Sequence, residues 1–104
     1  MGNTWELRRF EFIAGDLSEV ALLREAGKGR WNWILAHMTI GWVRLSEGDR
    51  EAARFHFRLL KSASEDEDWW CGIAHWCLAR LDADPNWPPW IPHLAPMPHE
   101  VKRP

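Results

Sequence analysis

Cys71 and His75 stand four residues apart, a spacing that puts a thiol and an imidazole on one face of a helix. Two chemistries use such a pair. A zinc ion could take both, but it needs three or four donors. Cys77 points elsewhere on the same predicted helix, and His56, His93 and His99 would have to arrive from other segments. A cysteine nucleophile could take His75 as its base, but it also needs an oxyanion pocket that no motif here supplies. The plainer alternative is a buried thiol beside a hydrogen-bonded histidine. The chain has no Gly-rich phosphate loop, no dinucleotide fingerprint and no paired carboxylates in an apolar setting. The sequence therefore implies no catalytic residue, no metal and no cofactor.

A second set of candidates is basic. Arg50, Arg54, Arg58 and Lys61 fall within about 80° on one helix. That stripe suits an acidic protein segment, or is an ordinary solvated face opposite a packed one. Glu51 interrupts it, and it carries no aromatic residue to stack a base, so nucleic acid is not the expected partner. The third set lies at the end of the chain. All seven Pro residues occur from Pro85 onward, with Trp87 and Trp90 among them in two PxxP spacings. Such a stretch cannot be helical and is expected to be extended. Trp87 and Trp90 are expected to dock on the last helix, because the open end of a helical stack must be covered.

Helices must position these groups. Trp31 to Leu45 has no Pro and a single Gly, Gly41. Trp31, Leu35, Met38, Trp42 and Leu45 form one apolar seam, and Ala36, Ile40 and Val43 form a second face. Asn32, Thr39, His37 and Arg44 divide them. A helix apolar on two sides is covered on two sides, which makes this the central helix. Gly41 costs about 1 kcal/mol in a helix interior, so another helix is expected to approach closely there. Before it, Asn3 and Glu6 cap a helix over about 4–13, closed by Gly15. Asp16 and Glu19 cap a second, with Leu17, Val20, Ala21 and Leu23 as its buried side. After it, Asp49 opens a fourth helix to about Ala63. Ala52, Ala53, Phe57, Leu59, Leu60 and Ala63 form its apolar face, with Phe55 at the edge. Ser64 and Glu67 form a capping box before a fifth helix over about 66–82.

Gly15-Asp16 and Gly48-Asp49 recur 33 residues apart, each between two predicted helices. In the unit at about 34–67, Gly41 stands at a small first-helix position. Gly48-Asp49 makes the turn, Ala53 is the small second-helix residue and Phe57 its aromatic. A helix–turn–helix unit with these residues resembles the tetratricopeptide repeat, whose period is about 34. His37, Arg44 and Leu60 depart from that pattern, and no Pro closes the unit. The resemblance covers about residues 4–82 as two and a half units. A plain five-helix bundle would show the same periodicity.

The resemblance implies an all-α short solenoid of antiparallel hairpins over residues 1–84, followed by a Pro-rich tail over 85–104. It also implies a concave surface, lined by the first helices, that binds a partner protein or peptide. Mapped onto this chain, that groove takes Trp5, Arg9 and Phe12 from the first unit. It takes Leu35, Met38, Trp42 and Leu45 from the middle unit, and Cys71, His75 and Leu78 from the third. A seam this apolar is expected to be covered by the tail, by a second copy or by a partner. The expected function is thus a non-catalytic interaction module. A homo-oligomer and a small-ligand or metal binder using Cys71 and His75 are the alternatives.

Composition agrees with a single globular domain. The chain has 104 residues, 46% of them hydrophobic, with nine Trp, no Tyr and a net charge of −2. Trp is seldom fully buried and is enriched where surfaces meet, which points to contact surfaces. No run approaches the ~18 apolar residues of a membrane span, and MGNTWELRRF lacks the order of a signal peptide. Cys71 and Cys77 are too far round one helix to pair. The chain is read as cytoplasmic.

Overall fold

The computed structural model describes residues 4–63 and 69–91. Five helices account for most of them: α1 (Thr4–Ala14), α2 (Glu19–Ala26), α3 (Arg30–Ser46), α4 (Arg50–Ala63) and α5 (Trp69–Ala83). The described residues contain no strand and no helix long and apolar enough to cross a membrane. Consecutive helices pack against each other, and α1 also reaches α3, giving an all-α short solenoid of hairpins. Asn3, the box Ser64–Glu67 and residues 92–104 lie outside the described residues.

Local chemistry sets the boundaries. Gly15 takes φ +90°, and the N–H groups of Gly15 and Asp16 donate to the carbonyls of Phe12 and Glu11. A left-handed glycine closing a helix in this way is strongly favoured. It also corrects one expectation: Asp16 belongs to the end of α1, and the cap of α2 is Ser18, whose Oγ accepts from the Ala21 N–H at 3.1 Å. Asp49 does cap α4, accepting from the Ala52 N–H at 3.2 Å.

The core divides at α3. On one side Ile34 and Leu45 join Ala53, Phe57 and Leu60 of α4 and Trp70, Ala74, Cys77, Leu78 and Leu81 of α5. On the other, Ala36 and Ile40 meet Phe12 of α1 and Leu22 and Ala26 of α2. Two sides of α3 are thus covered, but one of them is not the expected face: α4 and α5 pack on Ile34 and Leu45, while Trp31 and Trp42 of the expected seam stay exposed. The buried side of α2 is only partly the expected one: Leu17 and Leu23 pack against the cluster of Ala36 and Ile40, but Leu22 is fully buried and Val20 is exposed. Four aliphatic residues in succession make α2 apolar all round, so docking on α3, not periodicity, selects its inner face. Ala63 is also exposed, at the end of α4.

Gly41 marks the tightest approach. A Cβ built there would lie 2.8 Å from Cε1 of Phe57, whose ring is fully buried. The ring edge occupies the space a side chain would need, and this contact offsets the cost of glycine in mid-helix.

At the far end of the stack, Arg50 acts as a clamp. Its guanidinium donates to the carbonyls of Leu81 at 2.7 Å, Asp84 at 2.8 Å and Trp87 at 3.2 Å. Arg54 adds a bond to the Leu81 carbonyl at 3.2 Å and an ion pair with Asp82 at 3.3 Å. The last carbonyls of a helix have no partner within it, and here the arginines of α4 supply one. The chain after α5 is thereby held down. Trp87 is 7% exposed, with its ring 5.5 Å from Trp76 in an edge-on contact, and Pro88 is buried beside it. Trp90, by contrast, is 73% exposed. Of the two tail residues expected to dock, only Trp87 does so.

Two measurements follow. Arg50→Ala strands the Asp84 and Trp87 carbonyls and leaves Leu81 only its longer bond to Arg54, and should cost about 2–3 kcal/mol in denaturant unfolding. Trp87 should then become accessible to a fluorescence quencher; unchanged stability and quenching would remove the clamp from the account. Gly41→Ala should cost about 1–3 kcal/mol, because the buried Phe57 ring has nowhere to move. A neutral or stabilising result would mean that the helices part easily.

Candidate functional site

Among the described residues, the seam on α3 is one of the places where apolar surface stays open. Trp31, Leu35, Met38 and Trp42 recur at helical spacing, so their side chains line up over about 16 Å. Trp31 is 50% and Trp42 41% exposed, while Leu35 and Met38 are half-buried between them. Trp69 of α5 stands beside Trp31, ring centroids 6.3 Å apart in an edge-on contact. Trp42 rests on Phe57 at 5.5 Å, also edge-on, so the same ring that crowds Gly41 supports the exposed indole.

Most of the rest of the expected groove is closed. Phe12 is buried against α3, with the Arg44 guanidinium 5.4 Å from its ring centre. Arg9 donates to the Thr39 hydroxyl at 3.1 Å and pairs with Glu6 at 2.7 Å. Trp5 is half-buried and packs with the same cluster. These three residues form the α1–α3 junction. Leu45 and Leu78 belong to the main core. Cys71 is half-buried and His75 exposed. The structure gathers the seam but does not extend it into a continuous trough from α1 to α5.

The basic stripe is also divided. Arg50 and Arg54 are turned onto the end of α5, whereas Arg58 and Lys61 are exposed. Among the described residues, no group of three or more His, Cys, Asp or Glu side chains is arranged to hold a metal ion. Cys71 and His75 therefore gain no third donor there. Burial pushes the Cys77 thiol up to about 11, which makes it a poor nucleophile.

Sequence reasoning missed a buried polar chain. His37 of α3 and His56 of α4 are 5% and 3% exposed, and their Nδ1 atoms lie 2.9 Å apart. His56 Nε2 is 3.3 Å from Glu19 of α2, and Glu19 accepts from Arg44 at 3.1 Å. The Trp33 ring covers His37 at 4.5 Å, and Phe55 flanks His56 at 5.1 Å. Glu19 can only accept, so Nε2 of His56 carries the proton there. Nδ1 of His56 is then the acceptor, and His37 donates from its own Nδ1. Burial, then the neighbouring His56, push the His37 imidazole down to about 4, against a weaker upward pull from Glu19. Burial lowers His56 as well, with Glu19 opposing.

One signal of this pair was present. His56 lies on the inner stripe of α4 with Ala53 and Leu60, and His37 lies one turn before Gly41. Periodicity marks both as inward, but it cannot pair them.

An open cleft of about 380 Å³ reaches the same chain from outside. It is bounded by Phe12, Leu17, Glu19, Val43, Arg44 and Glu47, between the α1–α2 turn and the end of α3. Arg44 is bound there to both Glu19 and Glu47, the latter at 2.9 Å, so its charge is already matched. No protein-family model, curated protein sequence or solved structure matches this chain.

The histidines set a pH dependence with a definite sign. The unfolded chain takes up a proton on His37 near the model-peptide value of 6.5, and the folded chain only near 4. The stability His37 contributes is complete above about pH 6.5 and is lost as pH falls from there towards 4, by roughly 3 kcal/mol. His56 acts in the same direction. Denaturant midpoints should therefore drop across this window. A midpoint that holds or rises would contradict the buried neutral pair.

Proposed function

We propose that this chain is a non-catalytic protein-interaction module, an adaptor or small subunit of a larger assembly. It binds an apolar segment of a partner protein along the α3 seam. The observation that carries this reading is the seam itself, in which two tryptophans remain about half exposed with Leu35 and Met38 between them. Large exposed aromatic rings on a rigid helix are the usual anchors of an interface, because they bury much area at little cost in side-chain entropy. The resemblance to tetratricopeptide repeats supports the same surface, since that family uses its first helices to hold partners. With Arg50 and Arg54 engaged internally, the affinity comes from apolar contact, and the exposed Arg58 favours an acidic flank on the partner. Two unpaired cysteines support a reducing, cytoplasmic setting.

A second reading rests on a separate observation. The outer face of α1 exposes Leu7, Phe10 and Ile13 at helical spacing. This favours self-association, with the apolar faces of two copies covering each other.

Trp42→Glu tests the first reading. The variant should keep its helical circular dichroism, since Trp42 lies at the surface, and should lose at least about tenfold in affinity for a protein that co-purifies with the wild type. Unchanged affinity would remove the seam from the interface. Light scattering separates the second reading, which requires mass to rise with concentration.

A further inference from the structure

The buried histidines are not accounted for by partner binding, and their geometry carries an inference that stands whether or not the seam is an interface. Two imidazoles whose Nδ1 atoms lie 2.9 Å apart have room for one proton between them. With none, two lone pairs face each other; with two, two N–H groups collide. We propose that the His37–His56 contact is an acid-operated latch between α3 and α4. One shared proton ties the helices together at neutral pH, and full protonation of both rings forces them apart and loosens the support under Trp42.

The charges around the pair make this directional. Glu19 of α2 faces Nε2 of His56, and Arg44 of α3 is bound to that same carboxylate. α1 brings Arg9, already paired with Glu6 and Thr39. α5 packs on α4 through Trp70, Ala74, Cys77, Leu78 and Leu81, none of them charged. A first added proton is therefore tolerated. It makes His56 an imidazolium held by Glu19, while His37 changes tautomer and accepts at Nδ1. A second proton has no such accommodation, because His37 has no carboxylate of its own among these groups.

The mechanical link is short. His37 precedes Met38 of the seam, and His56 precedes Phe57, the ring that fills the space at Gly41 and supports Trp42. Parting the rings separates α3 from α4 one turn from their close approach at Gly41. The seam is thereby altered without any ligand.

His37→Asn provides the test. Asn places an amide where Nδ1 of His37 stood, and the amide can donate or accept, so it suits either state of His56. In the wild type, the folded-to-unfolded ratio should fall roughly 60-fold on account of His37 between about pH 7 and pH 4.5. That factor should be missing from the variant, whatever its stability at neutral pH. The Trp42 indole N–H resonance should shift across the same window in the wild type while helicity persists, and stay in place in the variant. His56→Asn serves as a second variant should the first not fold, since it too leaves a single titrating ring. An indole resonance that is fixed until the whole chain unfolds would overturn the latch. So would an equal acid response in wild type and variants.

Discussion

The edge of the Phe57 ring stands where a side chain at position 41 would begin. Only glycine permits this, and α3 and α4 meet there more closely than ordinary side chains allow. Much else depends on that approach. It brings two ring nitrogens from different helices within hydrogen-bonding distance, which helices held further apart would not do. It also fills the space beneath Trp42, so that the indole rests on a ring and remains partly in water. A helix that had to bury Trp42 itself would have no open seam.

The second constraint is the end of the stack. A short solenoid exposes unsatisfied carbonyls and apolar surface wherever it stops. Here one arginine from the start of α4 answers both needs. It bonds the carbonyls at the end of α5 and holds the following turn so that Trp87 covers the last helix. The same residue could have been a surface charge for a partner, as its place in a basic stripe suggests. A planar fork with five donors can bridge several carbonyls at once, and a lysine could not do so in that geometry.

The parts of this fold that periodicity controls were legible from the residues. The five helices, the covered Ala36–Ile40 side of α3, the approach at Gly41 and the apolar row of the seam follow from spacing, but that α4 and α5 would settle on Ile34 and Leu45 beside the seam does not. What spacing does not contain is pairing across helices. His37 looked like a polar divider between two apolar faces, and it became a divider only by finding His56 and, through it, Glu19. Arg9 and Phe12 belonged on an inner surface, but α1 lies close enough to α3 to seal that surface. The cap of α2 moved from Asp16 to Ser18 because Asp16 still closes α1 and α2 begins only at Glu19.

The chain from Arg44 through Glu19 and His56 to His37 joins three helices with groups that each satisfy the next. Such a set is worth more whole than in parts, because removing one member leaves its neighbour buried without a partner. Its four positions are therefore coupled: a change at one is felt at its neighbours, so exchanges along this chain do not add as independent steps, whereas exchanges at well-separated exposed sites do.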